Sequence, residues 1–540
     1  MQLQQFLSCG RFRSLTAINL MTHTIACRLL SITALTLTLA TPTQAQARLL
    51  TNGTFEEPAG RWPASKAMEW YNKQPWLVGC NFLPSTAVNT IEMWQKETFD
   101  PETIDRELGL AQDLGYNSIR VFLNYTVWKE DPEGLKKRFD QFLGIAARHG
   151  ISTMPILFDD CAFAGKEPKI GKQDEPVPGI HNSGWVGSPG KAMVLAPSTW
   201  PDLEKYVKDL VGKFGQDSRI VLWDLYNEPG NDGLGNQSLS LVEAVTRWTR
   251  EMHPSQPLTL GVWGGPEEIS NRQLELSDVI SFHYYGAKGS YPSMIADLKK
   301  RDRPVICTEW MSRPLQSLFS AVLPLFKTER VGSYNWGLVN GRTQTHFPWG
   351  SPVNAPEPVL WFHDIFRKDG TPYDPREIRI IKETTGKLPP RRLVAVVPTA
   401  QEQAISWRFT SGTPADGWSA PAFDDAAWNQ GAAPFGVADA TVARTPRTEW
   451  NTADIWLRRE FDWPAGATGT PILLAHYDED TEIYINGVLA RKTTGFSSEY
   501  EYLPLTQEGL AALKPGKNQL SVHCHQTNGG QYIDVGISTE

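Results

Sequence analysis

Between residues 76 and 385, short apolar runs alternate with amphipathic stretches. The runs are Leu77 to Phe82, Ser118 to Leu123, Ser152 to Phe158, Ile220 to Tyr226, Leu258 to Trp263, Val279 to Tyr285, Val305 to Glu309 and Ser333 to Leu338. They are apolar throughout rather than every second residue, the pattern of parallel strands buried on both faces. The intervening stretches read as helices. Pro101 opens one after Asp100, with Ile104, Leu108, Ala111 and Leu114 at helical spacing, and Leu203, Tyr206, Val207, Leu210 and Phe214 mark another. Eight such alternations predict an α/β fold, a closed (β/α)8 TIM barrel. An open doubly wound sheet finds no support in a Gly-rich phosphate loop.

Beyond Leu388-Pro389-Pro390-Arg391 the period changes. From about Arg408, short alternating runs separated by Gly, Pro, Asn and Asp turns include Ile455 to Phe461, Ile472 to Tyr477, Glu482 to Gly487 and Gln519 to Cys524, which predicts an all-β sandwich. A chain of 540 residues exceeds one core. The expected division is an N-terminal extension and signal peptide at 1–47, the barrel at 48–388, a linker at 389–407 and the sandwich at 408–540. Within the first segment Arg28 precedes the apolar stretch Leu29 to Ala40, and cleavage near Ala45 to Ala47 would start the mature chain near Arg48, with Met21 rather than Met1 as the start. The product is expected to be exported, periplasmic or secreted. Cys27 precedes the apolar stretch, which argues against a lipid anchor, and no later run is long enough to span a bilayer.

Net charge is −8 and no basic run interrupts the chain, which excludes a nucleic-acid footprint. No obligate protein partner is evident. After cleavage Cys80, Cys161, Cys307 and Cys524 remain, too scattered for a disulfide framework or a metal set, so the expectation is buried thiols with a Cys80–Cys161 bridge still open. No metal and no cofactor is expected, and Asp478-Glu479-Asp480 reads as an acidic turn in preference to a calcium site. The 20 tryptophans suit sugar stacking and large cores alike.

Two glutamates carry the candidate chemistry. Glu228 closes Val221-Leu222-Trp223-Asp224-Leu225-Tyr226-Asn227-Glu228 and Glu309 closes Val305-Ile306-Cys307-Thr308-Glu309, each at the C-terminal mouth of an expected strand. Glycoside cleavage needs a proton donor for the leaving oxygen and a carboxylate beneath the anomeric carbon; a pair about 5 to 5.5 Å apart supplies both with retention. Glu228 is the expected donor and Glu309 the nucleophile. Asn227 is placed to hold a sugar hydroxyl, Arg120 to keep Glu309 ionised, and Tyr285 to donate to it. Two long loops, Asp159 to Ser198 and Val339 to Pro358, leave the same face and are expected to narrow the groove into a pocket that suits chain ends or short oligosaccharides.

Asn227-Glu228-Pro229, His283-Tyr284-Tyr285, Glu309 and Trp336 in Ser333-Tyr334-Asn335-Trp336-Gly337 together resemble the retaining clan A glycoside hydrolases, most closely family 5 cellulases and mannanases, over roughly Trp70 to Thr385. The resemblance implies an O-glycosyl hydrolase acting on a carbohydrate, with Glu228 as acid/base, Glu309 as nucleophile, Arg120, His283 and Tyr285 in support, and Trp336 as a sugar platform. One departure stands out. Where the family commonly has a histidine at the end of the third strand, this chain has Phe158-Asp159-Asp160-Cys161. Asp159 or Asp160 then contacts sugar hydroxyls or caps the loop, and His181 is a candidate to replace the imidazole. The order Phe423 to Trp428, Trp456-Leu457-Arg458-Arg459 and Tyr484-Ile485-Asn486-Gly487 resembles the galactose-binding-like jelly roll of bacterial glycosidases. A transglycosylase using the same carboxylates and a non-catalytic carbohydrate-binding barrel are the alternatives.

Overall fold

Parallel strand segments β1 (Val78–Asn81), β2 (Ser118–Phe122), β3 (Ser152–Asp159), β4 (Trp223–Asn227), β5 (Leu258–Thr259), β6 (Gly261–Val262), β7 (Ile280–His283), β8 (Val305–Trp310) and β9 (Gly332–Trp336) pair in the order β5-β4-β3-β2-β1-β9-β8-β7-β6. Only Leu260 separates β5 from β6, so the two ends of the sheet are halves of one strand and the sheet returns on itself as a TIM-like barrel. The break has a local cause. Ser277 Oγ accepts the Leu260 amide at 3.1 Å and the Thr259 hydroxyl donates to Val279 O at 2.7 Å, so side chains stand in for ladder bonds. The computed structural model describes residues 60–438, 445–497, 499–527 and 529–540; the expected signal segment 1–47 lies outside the described residues.

Every residue of β1, β2, β4, β7 and β8 is buried, as non-alternating apolar runs require. The helix Pro101–Leu114 is capped by the Asp100 side chain on the Thr103 amide, and it buries Ile104, Leu108, Ala111 and Leu114 against the sheet. Ile104, Leu108 and Leu114 each contribute about 1.5–3 kcal/mol relative to exposure, and the Ala111 methyl less. The Gly79 position tolerates no side chain, because a Cβ there would fall 1.6 Å from Ser118 O on the neighbouring strand. Several expected strand limits shift, and the expected run Val279 to Tyr285 is a strand only over Ile280–His283. The fourth ladder begins at Trp223 rather than Ile220, which makes only an isolated bridge to Thr153, and the last strand stops at Trp336.

The C-terminal part holds β10 (Val394–Val397), β11 (Ile405–Thr410), β12 (Asn429–Ala433), β13 (Phe435–Gly436), β14 (Thr448–Glu449), β15 (Asp454–Trp463), β16 (Pro471–Asp478), β17 (Asp480–Ile485), β18 (Val488–Thr493), β19 (Glu501–Pro504), β20 (Gly516–His525) and β21 (Tyr532–Thr539). They form one sheet ordered β14-β13-β21-β16-β19, with β10 also on β21, and a second ordered β12-β11-β15-β20-β17-β18. Trp407, Phe435, Leu457, Ile483, Val522 and Ile533 are among the residues of the core between them. The segment 389–407, expected as a linker, is corrected: β10 pairs antiparallel with β21, and β11 starts at Ile405. The Phe423-to-Trp428 motif proves structural. Arg458, 2 % exposed, pairs with Asp425 at 2.8 Å, and its guanidinium lies over the Phe423 ring. Asp478 and Asp480 fall at the facing ends of β16 and β17, and Asp480 accepts the Gly495 amide. The four cysteines among the described residues, Cys80, Cys161, Cys307 and Cys524, are buried and free, so the open Cys80–Cys161 bridge is overturned. Among the described residues, no helix is long and apolar enough to cross a membrane.

Candidate active site

Glu228 follows the last residue of β4 at φ +42°, a strained conformation for a residue with a Cβ and one that concentrates where function demands it. Glu309 is the penultimate residue of β8. The β7–β8 ladder pairs Phe282 with Cys307 but His283 with Glu309, so Thr308 is an extra residue and the strand is re-aimed at this point. The result is convergence: one oxygen of Glu228, one oxygen of Glu309 and a His283 ring nitrogen lie within 4.8 Å of one another. His283 Nδ1 is 2.9 Å from Glu228 Oε1 and 3.5 Å from Glu309 Oε2. Burial pushes His283 down to about 4, so its imidazole is neutral at pH 7. With Nε2 unpartnered and aimed at Gly261, the tautomer that donates from Nδ1 avoids leaving a buried N–H unsatisfied.

The two carboxyl groups have different surroundings. Arg120 Nη1 donates to Glu309 Oε1 at 2.7 Å and the Tyr285 hydroxyl donates to Oε2 at 2.9 Å. Glu228 Oε2 instead accepts from Asn231 Nδ2 at 2.7 Å and from the Cys161 thiol at 3.2 Å. Burial raises both carboxyls above the ordinary range; Arg120 opposes it at Glu309 through direct contact and at Glu228 only from a distance. A cation in contact favours an anion more than neutral dipoles do, so Glu309 ionises first and Glu228 retains its proton longer.

Arg120 is fully buried, and it also bonds Asp224, Asn81 and Asn227. Asn227 is therefore engaged on both sides, accepting from Arg120 at 2.7 Å and donating to Asp159 at 2.9 Å. Asp159 and Asp160, each 4 % exposed, turn inward onto protein partners. Asp159 accepts from Asn227, the Trp185 indole and the Cys161 amide. Asp160 accepts from the Tyr226 and Ser238 hydroxyls and the Gly230 amide, tying the loop after β4 to β3. Both carboxyl groups are thus engaged by protein donors. His181 does not enter the centre either. Its Nδ1 meets Phe347 O at 2.8 Å and its ring packs on Phe362, His363 and Trp349, held there because the 177–183 turn is bonded to Gln344 and Thr343. Trp336 stands at the mouth, edge-on to Phe122 and Trp185, and lines a cavity of about 30 Å³ with Asn81.

Asn231, Cys161, Asp224, Asn81 and Trp185 are site residues that sequence reasoning missed. Asp224 carried a usable signal, since a lone acid inside Val221-Leu222-Trp223-Asp224-Leu225 has to find a buried cation. Trp349, for which the sequence left cleft lining and core filling both open, is 51 % exposed and packs edge-on against Tyr285 at 5.2 Å. The two long loops interlock around it, with the Asn182 amide on Thr343 O, the Asn354 amide on Pro178 O and Ser351 Oγ on Gly179 O. Glu228, His283 and Glu309 are also the one trio among the described residues close enough to hold a metal ion. Arg120, 2.7 Å from Glu309, places a fixed positive charge against a dication there.

A parallel barrel with two carboxyl groups at its C-terminal rim defines a barrel-type active site. Residues 79–340, a little under half of the chain, match the family model Cellulase (glycosyl hydrolase family 5). Among solved structures, similar ones include an exo-β-1,4-mannosidase from Opitutaceae bacterium strain TAV5, at 15 % identity over 58 % of this chain and 59 % of that one, TM-score 0.40. A family 5 mannosidase from Rhizomucor miehei matches at 12 % identity over 58 % and 94 %, TM-score 0.39. An endo-1,4-β-D-mannanase from Thermotoga petrophila matches at 15 % identity over 58 % and 99 %, TM-score 0.38. The chain thus spans 59 % of the length of the first of these. No curated protein matches the chain.

Proposed function

We propose that the chain is a retaining glycoside hydrolase that cleaves β-linked sugars in oligo- or polysaccharides. One observation carries this reading: oxygens of Glu228 and Glu309 within 4.8 Å, with Arg120 in contact with Glu309 alone of the two. Such spacing suits a nucleophile and leaves no room for the water that an inverting pair, about 6.5–9.5 Å apart, must admit. In the first step Glu309 bonds to the anomeric carbon while the glycosidic C–O bond breaks and the leaving oxygen takes the Glu228 proton. In the second, a water gives a proton to Glu228 and its oxygen displaces Glu309, which restores both groups. Arg120 and Tyr285 hold Glu309 ionised and aimed; neutral His283 bridges the pair without adding charge. Trp349 offers an aromatic face beside the cleaved ring, and the interlocked loops favour chain ends or short oligosaccharides. Within residues 1–47, the part from Met21 onward serves as an export signal in this reading, supported by the Leu29 to Ala40 stretch.

The test uses 2,4-dinitrophenyl β-glycosides of glucose, mannose, galactose and xylose. Glu309→Ala is expected to lose nearly all turnover and to regain it with azide as the α-glycosyl azide. Glu228→Ala is expected to lose about 10²–10⁴-fold on unactivated oligosaccharides, assayed beside the dinitrophenyl panel because their leaving oxygen needs the proton, and on the dinitrophenyl glycosides azide is expected to give the β-azide. Full activity in both variants, or inverted product from the parent enzyme, would refute the assignment. Product analysis with added acceptor sugars separates hydrolysis from transglycosylation.

A further inference from the structure

A second cavity, of about 530 Å³, lies between barrel and sandwich. The loops after β8 and β9 and the helix Pro375–Thr385 wall one side, and β16 with the approach to β19 wall the other. Its size falls within that of small-molecule sites. The charges on its walls say what it takes. Arg313, Arg376 and Arg391 are already matched to Glu377, Asp374 and Glu383 at 2.6, 2.6 and 3.1 Å. Glu499 is paired with Lys288 of the barrel at 3.0 Å, and Glu501 accepts from the Tyr477 hydroxyl at 3.3 Å. Every arginine on the walls is committed and carboxylates are in excess, so a phosphate, sulfate or uronate would enter against the field. A neutral ligand would not.

The apolar lining is equally specific. Phe496 of the sandwich, 41 % exposed, and Leu360 of the barrel, 48 % exposed, both line the cavity. Phe496 is held in place by a backbone bridge to Asp478. An exposed ring, phenol groups and carboxylate acceptors suit a molecule with an apolar C–H face and a rim of hydroxyls, which is a sugar. The cavity also adjoins the active site. Its wall residue Tyr373 stacks on Trp361 at 4.7 Å, and the next residue, Phe362, packs against Trp349 at 4.8 Å, so one loop presents one side to each site.

We propose that this cleft is a second glycan site, which binds a neutral stretch of polysaccharide outside the catalytic centre through Phe496, Glu501 and Leu360. The choice of a glycan rests on the glycosidase reading. Affinity electrophoresis of the full chain in gels containing glucomannan, barley β-glucan, galactan, xylan or polygalacturonate tests it. Retardation is expected in at least one neutral gel and not in polygalacturonate. Phe496→Ala, Glu501→Gln and Leu360→Ala should each weaken it by about tenfold, the size of one lost contact. Their kcat/KM on an aryl glycoside should stay at the parent value, and melting curves report whether each variant is folded. No retardation in any neutral gel, equal retardation in polygalacturonate, or retardation insensitive to all three folded variants would overturn the proposal. A chain that turns over no glycoside yet shows variant-sensitive retardation would sink the glycosidase reading and leave the cleft standing.

Discussion

Replacing Arg120 by lysine isolates the electrostatics of the nucleophile. The guanidinium reaches Asp224 through Nε and Nη2 at 2.9 and 2.8 Å, Asn81 and Glu309 through Nη1 at 2.7 Å each, and Asn227 through Nη2 at 2.7 Å. A lysine keeps the charge but presents its donors from one atom, so it cannot span Asp224 and Glu309 together. Loss of a contacting cation raises a buried carboxyl by about 1–3 pH units, or about 1.4–4 kcal/mol. The sign follows from the chemistry. In the proposed double displacement Glu309 attacks as an anion, so a higher value moves the acidic limb of the kcat/KM profile upward, toward the basic limb that Glu228 would set. Activity on the acidic side should fall by about 10–10³-fold and recover partly as pH rises. Arg120→Met goes further and strands two buried carboxylates, at about 3–5 kcal/mol, a large part of the usual 5–15 kcal/mol of total stability. It is expected to fold poorly, which makes the lysine variant the informative one. The assay is a pH series of kcat/KM on an aryl β-glycoside, with melting curves for the same samples. An acidic limb left in place, with activity merely scaled down in a folded Arg120→Lys, would refute the charge argument.

Asn231→Ala removes a donor from the ionised form of Glu228, which must be protonated to act as the proposed acid. The basic limb should therefore move up by about 1–2 units while the acidic limb stays, and a basic limb that fell or held would count against Glu228 as the acid. Asp160→Asn places an amide N–H against the Ser238 and Gly230 donors or the Tyr226 hydroxyl, so it should cost about 1–3 kcal/mol of stability with KM unchanged. A raised KM at an unchanged melting temperature would return Asp160 to sugar contact.

Much of the barrel was legible because burial on both faces removes the polar positions from a strand, and runs such as Val305-Ile306-Cys307 have no other common reading. The two glutamates stood out for the same reason: an acid closing an apolar run sits where a strand leaves the core. The sandwich was legible from its period of two, but its start was not, since Val394–Val397 joins a sheet through a partner more than 130 residues later, at Ile537 to Thr539.

Residue types and their local spacing, then, determined the strand count, the sandwich and the positions of Glu228 and Glu309 along the chain. Tertiary structure decided what those carboxyls face. The extra residue at Thr308 turns Glu309 toward His283, and Arg120 collects partners from β1, β4 and β8. Asp159 and Asp160 are claimed by Trp185, Tyr226 and Ser238 before any sugar arrives. Each of these depends on residues far apart in the chain meeting at a closed rim. Periodicity records which side chains are buried; the partner a buried charge finds is set by the register and closure of the whole barrel.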